Sequence, residues 1–355
     1  MKIKINKNLL YLIMIIVVET LLVKLFMYKI LPEKFFYDSN GILNSLNNAN
    51  TTDLSRKFTI MFFSKINIFG FTTIQQWGWL LSLILLVIII KKILDNKQYN
   101  IFQMIFIIMS VALLNIYVFN IGKDVIQFII FWIIFEILNS NKSDNKKILL
   151  TILILALEAA YFRVYYLIMA LLILTIYLIY KLFVEKKKLE KRNIIKLIIL
   201  GIVLFFAQVF ILQKVSIENY NSIMYARSSV NVSRLDGIDA NTIILELFGD
   251  NTSFDKFILN YLMTFIRLLF PLELLTKGIK YIPFVVYQLL ITSSLVKFRN
   301  NIGNDSITWI IITASFFMVS AIFEPDFGSF IRHESTMFLI FLHLFMLKKT
   351  SKRSE

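Results

Sequence analysis

Apolar runs of about 14–20 residues, with charge confined to short connectors between them, recur from one end of this chain to the other. That pattern constrains the fold more than any motif. A run of this length approaches the roughly 20 residues a helix needs to cross a bilayer core of about 30 Å. Hydrophobic residues make up 58% of the 355 positions, with a mean hydropathy of +0.72. A soluble domain of this size has no core large enough to hide them. The sequence therefore predicts an all-α polytopic membrane protein, a single integral membrane domain over residues 1–355. The net charge of +15 would point a soluble protein toward nucleic acid. Here Lys and Arg gather in connectors such as Lys91–Lys92 and Lys186–Arg192, where they orient helices, so no nucleic-acid partner is expected. The chain has no cysteine, which excludes a disulfide framework and a thiolate metal site. Its weight of Lys, Ile and Asn is that of an AT-rich bacterial genome.

Charge placement gives a topology. Lys2, Lys4 and Lys7 put the N-terminus inside, and the first run, about Leu9–Ile30, lacks a small-residue cleavage site and reads as a retained helix. A second helix, about Ile74–Ile90, returns to Lys91–Lys92. The loop between them, 31–73, is then external and contains "FTIMFFSKINIFGF", suited to a helix lying in the interface. Further crossings are expected at about Ile101–Phe119, Val125–Leu138 and Ile194–Leu212. The apolar stretch Ile148–Tyr180 would be about 50 Å long as one helix, too long for the core. It starts and ends at inside connectors, so two short crossings turning near "EAAYFRVYY" are expected, with one long tilted helix as the alternative. A polar segment follows, within an external region of about 213–282. Its last part, Phe257–Ile282, holds Arg267, Pro271 and Glu273 and reads as re-entrant or interfacial. The last crossings are expected at about Pro283–Val296, Ile307–Phe323 and Thr336–Leu347, with 324–335 as an external connector. The sum is about ten transmembrane helices with both termini cytoplasmic.

Ionisable groups at membrane depth are costly and usually face a cavity. In this topology the external polar sites are Lys123–Asp124, Arg163 with Tyr165 and Tyr166, Arg227 with Arg234 and Asp236, Arg267, and "FEPDFGSFIRHES" from Phe323 to Ser335. Arg163 has Glu158 as a possible partner and Arg267 has Glu273. The last cluster, in which Pro325 and Gly328 mark a turn, carries more charge than a connector needs. Guanidiniums hold phosphate oxygens bidentately and keep their charge. Glu324, Asp326, His333 or Glu334 offers a base for an attacking hydroxyl, and carboxylates stabilise positive charge growing on an anomeric carbon. Cations beside carboxylates at an outer membrane surface point to glycosyl transfer from a lipid pyrophosphate donor.

"EPDFGSFIRHES" resembles the final external motif of Wzy-type (EpsG-like) bacterial capsule and exopolysaccharide polymerases. "NIGKDVIQFIIFW", "FRVYYLIMALL" and "MTFIRLLFPLELLTKGIKYIPF" resemble other segments of that family, in the same order, over about Asn120 to Leu347. The resemblance implies a GT-C-like membrane glycosyltransferase in the bacterial cytoplasmic membrane. Such an enzyme joins oligosaccharide repeat units carried on undecaprenyl pyrophosphate at the outer face. It implies Lys123, Asp124, Arg163, Tyr166, Arg267, Arg332 and Glu334 as substrate-binding residues, and Glu324, Asp326 or His333 as the catalytic group. No cofactor is implied. Membrane lipid, a flippase and a chain-length regulator are the partners it implies. The alternatives are a GT-C transferase using a polyprenyl-phosphate sugar, for which the first external loop offers only Asp38 and Asp53, and a flippase for lipid-linked oligosaccharides. A flippase would show internal repeats, and none is present in the sequence.

Overall fold

The computed structural model describes residues 7–46, 51–96, 98–183, most of 199–225, 242–298 except 250 and 252, and 307–346. Among them the chain is helical, with no strand beyond one isolated bridge. Among the described residues four helical segments are long and apolar enough to cross a membrane: Lys7–Ile30, Ile74–Leu94, Ile101–Val118 and Ile279–Val296. Shorter apolar helices cover Tyr166–Leu182 and Ile307–Phe323. The chain has the helices of a membrane-embedded protein. Exposed Leu10, Met14, Val18, Leu22, Leu83 and Val87 show why: these helices turn large apolar side chains outward, which lipid tolerates and water does not.

The described residues fall into two compact units. The first contains Met1–Phe135, Tyr161–Arg163 and Arg332–Met346. It opens with α1 (Lys7–Ile30), α2 (Tyr37–Asn44) and α3 (Leu54–Ile66). Helices α4 (Ile74–Leu94) and α5 (Ile101–Leu113) follow, and α6 (Lys123–Asn139) supplies its first part. Capping chemistry sets the starts. Thr73 with Gln76, and Asn100 with Gln103, form reciprocal capping boxes at α4 and α5, each satisfying donors that the first turn leaves free. Asp53 caps α3, accepting from the N–H groups of Ser55 and Arg56. Helix α5 ends in a π-helical turn, Leu114–Val118, a departure often found where a helix serves a functional site. Gly78 lets α4 approach α1 and the segment after the π-turn: a Cβ there would collide with the Tyr28 hydroxyl and meet Asn120 Oδ1 at 3.1 Å.

The second unit contains Glu136–Ala160, Val164–Ile331 and Leu347–Glu355. Its helices are α7 (Asp144–Tyr161, all but its last residue), α8 (Tyr166–Phe183), α9 (Phe254–Leu269), α10 (Ile282–Phe298) and α11 (Ile307–Phe323). Helix α11 is buried on nearly every face and packs against α8 and α9. Tyr261 on α9 donates to the Met318 carbonyl at 3.1 Å. The break between α7 and α8 at 162–165 matches the expected turn, so Ile148–Tyr180 is two helices and not one. In Phe257–Ile282, α9 is a single helix that stops before Pro271, and short 3-10 turns at Leu272–Lys277 and Ile279–Tyr281 lead into α10.

One expectation is corrected here. Residues 324–335 are not a connector: α12 occupies Phe327–Ser335, the chain turns at Thr336–Met337, and α13 resumes at Phe338–Met346. A short helix therefore precedes the final segment, which begins within two residues of the expected Thr336. The reason is a cap. Asp326 Oδ1 accepts from Ser329 N–H at 2.7 Å, and the Asp326 carbonyl accepts from Phe330 N–H at 3.0 Å. Part of α12 groups with each unit. Two expectations lie wholly or partly outside the described residues: part of the crossing at Ile194–Leu212, and Arg227, Arg234 and Asp236.

Candidate functional site

The first unit brings four of the expected residues to one carboxylate. Asp124 sits in the first turn of α6 with only 7% of its side chain exposed. Arg163 Nη2 donates to Asp124 Oδ1 at 3.0 Å, Arg332 Nε lies 3.3 Å from Oδ2, and His333 Nε2 lies 3.7 Å from Oδ1. These residues come from the start of α6, the break after α7 and the end of α12. Burial by itself would raise the Asp124 pKa. The Arg332 and Arg163 guanidiniums, followed by His333, more than offset that and hold the carboxyl well below the usual carboxylate range. Arg332 keeps 32% of its side chain exposed, against 9% for Arg163. Arg332 is thus the more exposed of the two cations.

Lys123, next in sequence, faces a different acid: its Nζ reaches Asp53 Oδ2 at 2.8 Å. The same carboxylate caps α3, so one ion pair ties that helix to the start of α6. Partial burial would raise Asp53, but hydrogen bonds from Lys123 and Ser55 and the Lys123 charge outweigh it and bring the carboxyl to about 2. Beside this tie, Phe58 of α3 packs edge-on against Phe162, whose neighbour is Arg163. Glu334, also in this unit, is fully buried.

The remaining expected residues lie in the second unit. Glu324 and Asp326 are buried, and Asp326 is engaged as the α12 cap. Ile244 N–H donates to the Pro325 carbonyl at 3.0 Å, pinning the preceding loop beside this cap. Tyr166 opens α8 and is 1% exposed, its ring 4.6 Å from that of Tyr165. Arg267 forms a two-pronged pair with Glu273, at 2.7 Å from Nε and 2.6 Å from Nη2, and its Nη1 donates to the Leu245 carbonyl at 2.7 Å. Three of its nitrogens are thus spent holding a loop and a turn together, the work of a clamp.

Two polar groups escaped sequence reasoning. Lys24 is fully buried in α1, with Nζ 2.7 Å from the Asn115 carbonyl, 2.8 Å from the Phe119 carbonyl and 3.0 Å from Asn120 Oδ1. It closes the π-turn whose exit leads to Lys123. Asn115 extends the network to Thr20 and Ser82. The available signal was a lone lysine inside an apolar run, a costly residue that reads as functional or paired. Gln127, one turn into α6, is likewise fully buried. Among the described residues no group of His, Asp and Glu is arranged to hold a metal ion.

Compared with protein-family models, curated proteins and solved structures, the chain has no match.

Proposed function

We propose that this protein is a membrane glycosyltransferase that polymerises oligosaccharide repeat units carried on undecaprenyl pyrophosphate into capsular or exopolysaccharide. The reaction is placed at the outer face of the bacterial cytoplasmic membrane, in a GT-C-like protein of about ten crossings with both termini cytoplasmic. One observation carries the reading: Arg163 and Arg332, from distant parts of the chain, both meet the buried carboxylate of Asp124, with His333 alongside. An arginine held by a counter-ion pays little ordering entropy when its remaining donors meet an anion. Pyrophosphate is the anion this suits, because charge builds on its oxygens as the glycosyl bond breaks.

In the proposed reaction the acceptor hydroxyl oxygen attacks the anomeric carbon of the donor sugar. A new C–O bond forms as the bond to pyrophosphate breaks, and undecaprenyl pyrophosphate leaves with the electron pair. The hydroxyl proton passes to a base. His333 is the candidate that lies in the arginine cluster, whereas Asp326 already serves as a cap. Transfer from a polyprenyl-phosphate sugar would call for a free acid in the first external loop. Asp53 is engaged by Lys123 and by the α3 backbone, which leaves that route Asp38 alone of the two acids.

The test is polymer length in cells. Arg332→Ala and Arg163→Ala, each expressed in place of the wild-type gene, are expected to leave single repeat units where wild type makes long chains. Normal long polymer from Arg332→Ala would discard the proposal.

A further inference from the structure

We infer that α3 and the turn after it form an anchor for anionic lipid. Ile68 and Phe69 enter the acyl region beside the start of α4, and Lys57 and Lys65 hold the phosphates of acidic headgroups. This goes beyond a helix lying in the interface by naming the inserting side chains and the headgroup class. It requires the membrane-spanning helices and not the proposed reaction.

The turn at 67–71 is closed and fastened. Asn67 Oδ1 accepts from Phe71 N–H at 2.7 Å, and Asn67 Nδ2 donates to the Phe71 carbonyl at 3.1 Å. Gly70 N–H donates to the Asn67 carbonyl at 3.2 Å, and Gly70 takes a φ of +64°, which glycine adopts without strain. The rings of Phe63 and Phe71 both meet Trp77 of α4 edge-on, at 5.0 and 5.4 Å. Between these fixed ends Ile68 is 80% exposed and Phe69 66%. Water is a poor medium for two large apolar side chains on a locked backbone, whereas a bilayer buries them. The bilayer is close: α4 is a membrane-crossing helix, and it begins at Ile74, five residues after Phe69.

Helix α3 carries the same chemistry. Thr59, Ile60 and Phe63 form its buried side. Leu54, Phe58, Met61 and Lys65, spaced i, i+4, i+7 and i+11, share the opposite side and are exposed. Lys57 is exposed at the edge of this row. The one acid in the sequence from 51 to 73 is Asp53, and it is taken by Lys123 and by the α3 cap. The surface is therefore apolar with positive charge beside it. A bilayer surface with acidic phospholipid is apolar with negative charge beside it. A second copy of this chain, meeting it through a two-fold contact, would set lysine against lysine.

The chain has no cysteine, so Phe69→Cys carries a single environment-sensitive fluorophore. The labelled full-length protein is placed in nanodiscs of equal phosphatidylglycerol and phosphatidylcholine, with brominated acyl chains on one lipid or the other. The expected emission is blue-shifted and quenched by both lipids, at least about twofold more strongly by brominated phosphatidylglycerol. Lys57→Gln combined with Lys65→Gln should keep the quenching, remove the difference and leave the unfolding temperature unchanged. High salt should also shrink the difference. No quenching by either lipid overturns the insertion. Equal quenching without the lysine substitutions overturns the headgroup assignment. Emission that shifts to the blue only when two copies share a disc would give the turn to a second copy and overturn the inference.

Discussion

Asp124 meets two guanidiniums, and their charge offsets the cost of its own burial. Removing one partner of a buried ion pair typically costs about 3–5 kcal/mol. Asp124→Asn is expected to lower stability by that amount, read as a drop in thermal unfolding temperature in detergent. Asp53 adds a pH signature. Its carboxyl is lowered from 3.8 to about 2, so its contribution is full above the ordinary value and is lost as pH falls through about 2. Asp53→Asn should flatten that acid limb of the stability curve. The effect is small, because the Asp53 side chain is half exposed and solvent screens the pair. Lys24→Met removes the ammonium from three oxygens at once. Each buried acceptor left unpaired costs about 1–3 kcal/mol, so this variant should be among the least stable single substitutions in α1.

Helix ends decide how the elements present these residues. The π-turn closing α5, locked by Lys24, sets where the chain leaves for Lys123 and Asp124. The Asp326 cap turns "FGSFIRHES" from a connector into α12, which places Arg332 and His333 on adjacent positions of a helix's last turn. Asp326→Ala is expected to cost about 0.5–2 kcal/mol and Asp326→Asn much less, because Asn caps as well as Asp does. Long polymer from Asp326→Asn would place this residue in the scaffold; its loss at unchanged stability would return Asp326 to the list of bases. On α5, Phe106 stacks on Phe338 at 5.9 Å and on Phe345 at 4.3 Å, and Gln103 donates to the Phe345 carbonyl at 2.7 Å. The start of α5 therefore anchors α13.

For the molecule as a whole, the candidate site belongs to one unit built from three separated stretches of chain. That assembly gives Arg163 and Arg332 a common partner despite their distance in sequence. The proposed topology has a direct check. With no native cysteine, a single cysteine at position 332 is the only thiol. A membrane-impermeant maleimide added to intact cells is expected to label it, and labelling only after the membrane is opened would remove the outer-face assignment.

Apolar run length and charge placement were sufficient to predict the helical membrane architecture, the break between α7 and α8, and the positions of most helices. Each is a local consequence of hydrophobicity, helix rise and bilayer thickness. The charged cluster was visible as an anomaly in composition. Which acid meets which base was not, because ion pairing depends on distances between segments that sequence order does not encode. Tertiary structure alone assigned Arg163 and Arg332 to Asp124, Lys123 to Asp53, and Arg267 to Glu273. It also showed the Asp326 carboxylate engaged as the cap of α12 and seated Lys24 in its ring of oxygens. A side chain's cost in an apolar run can be read from its chemistry; the partner that offsets the cost is supplied by packing.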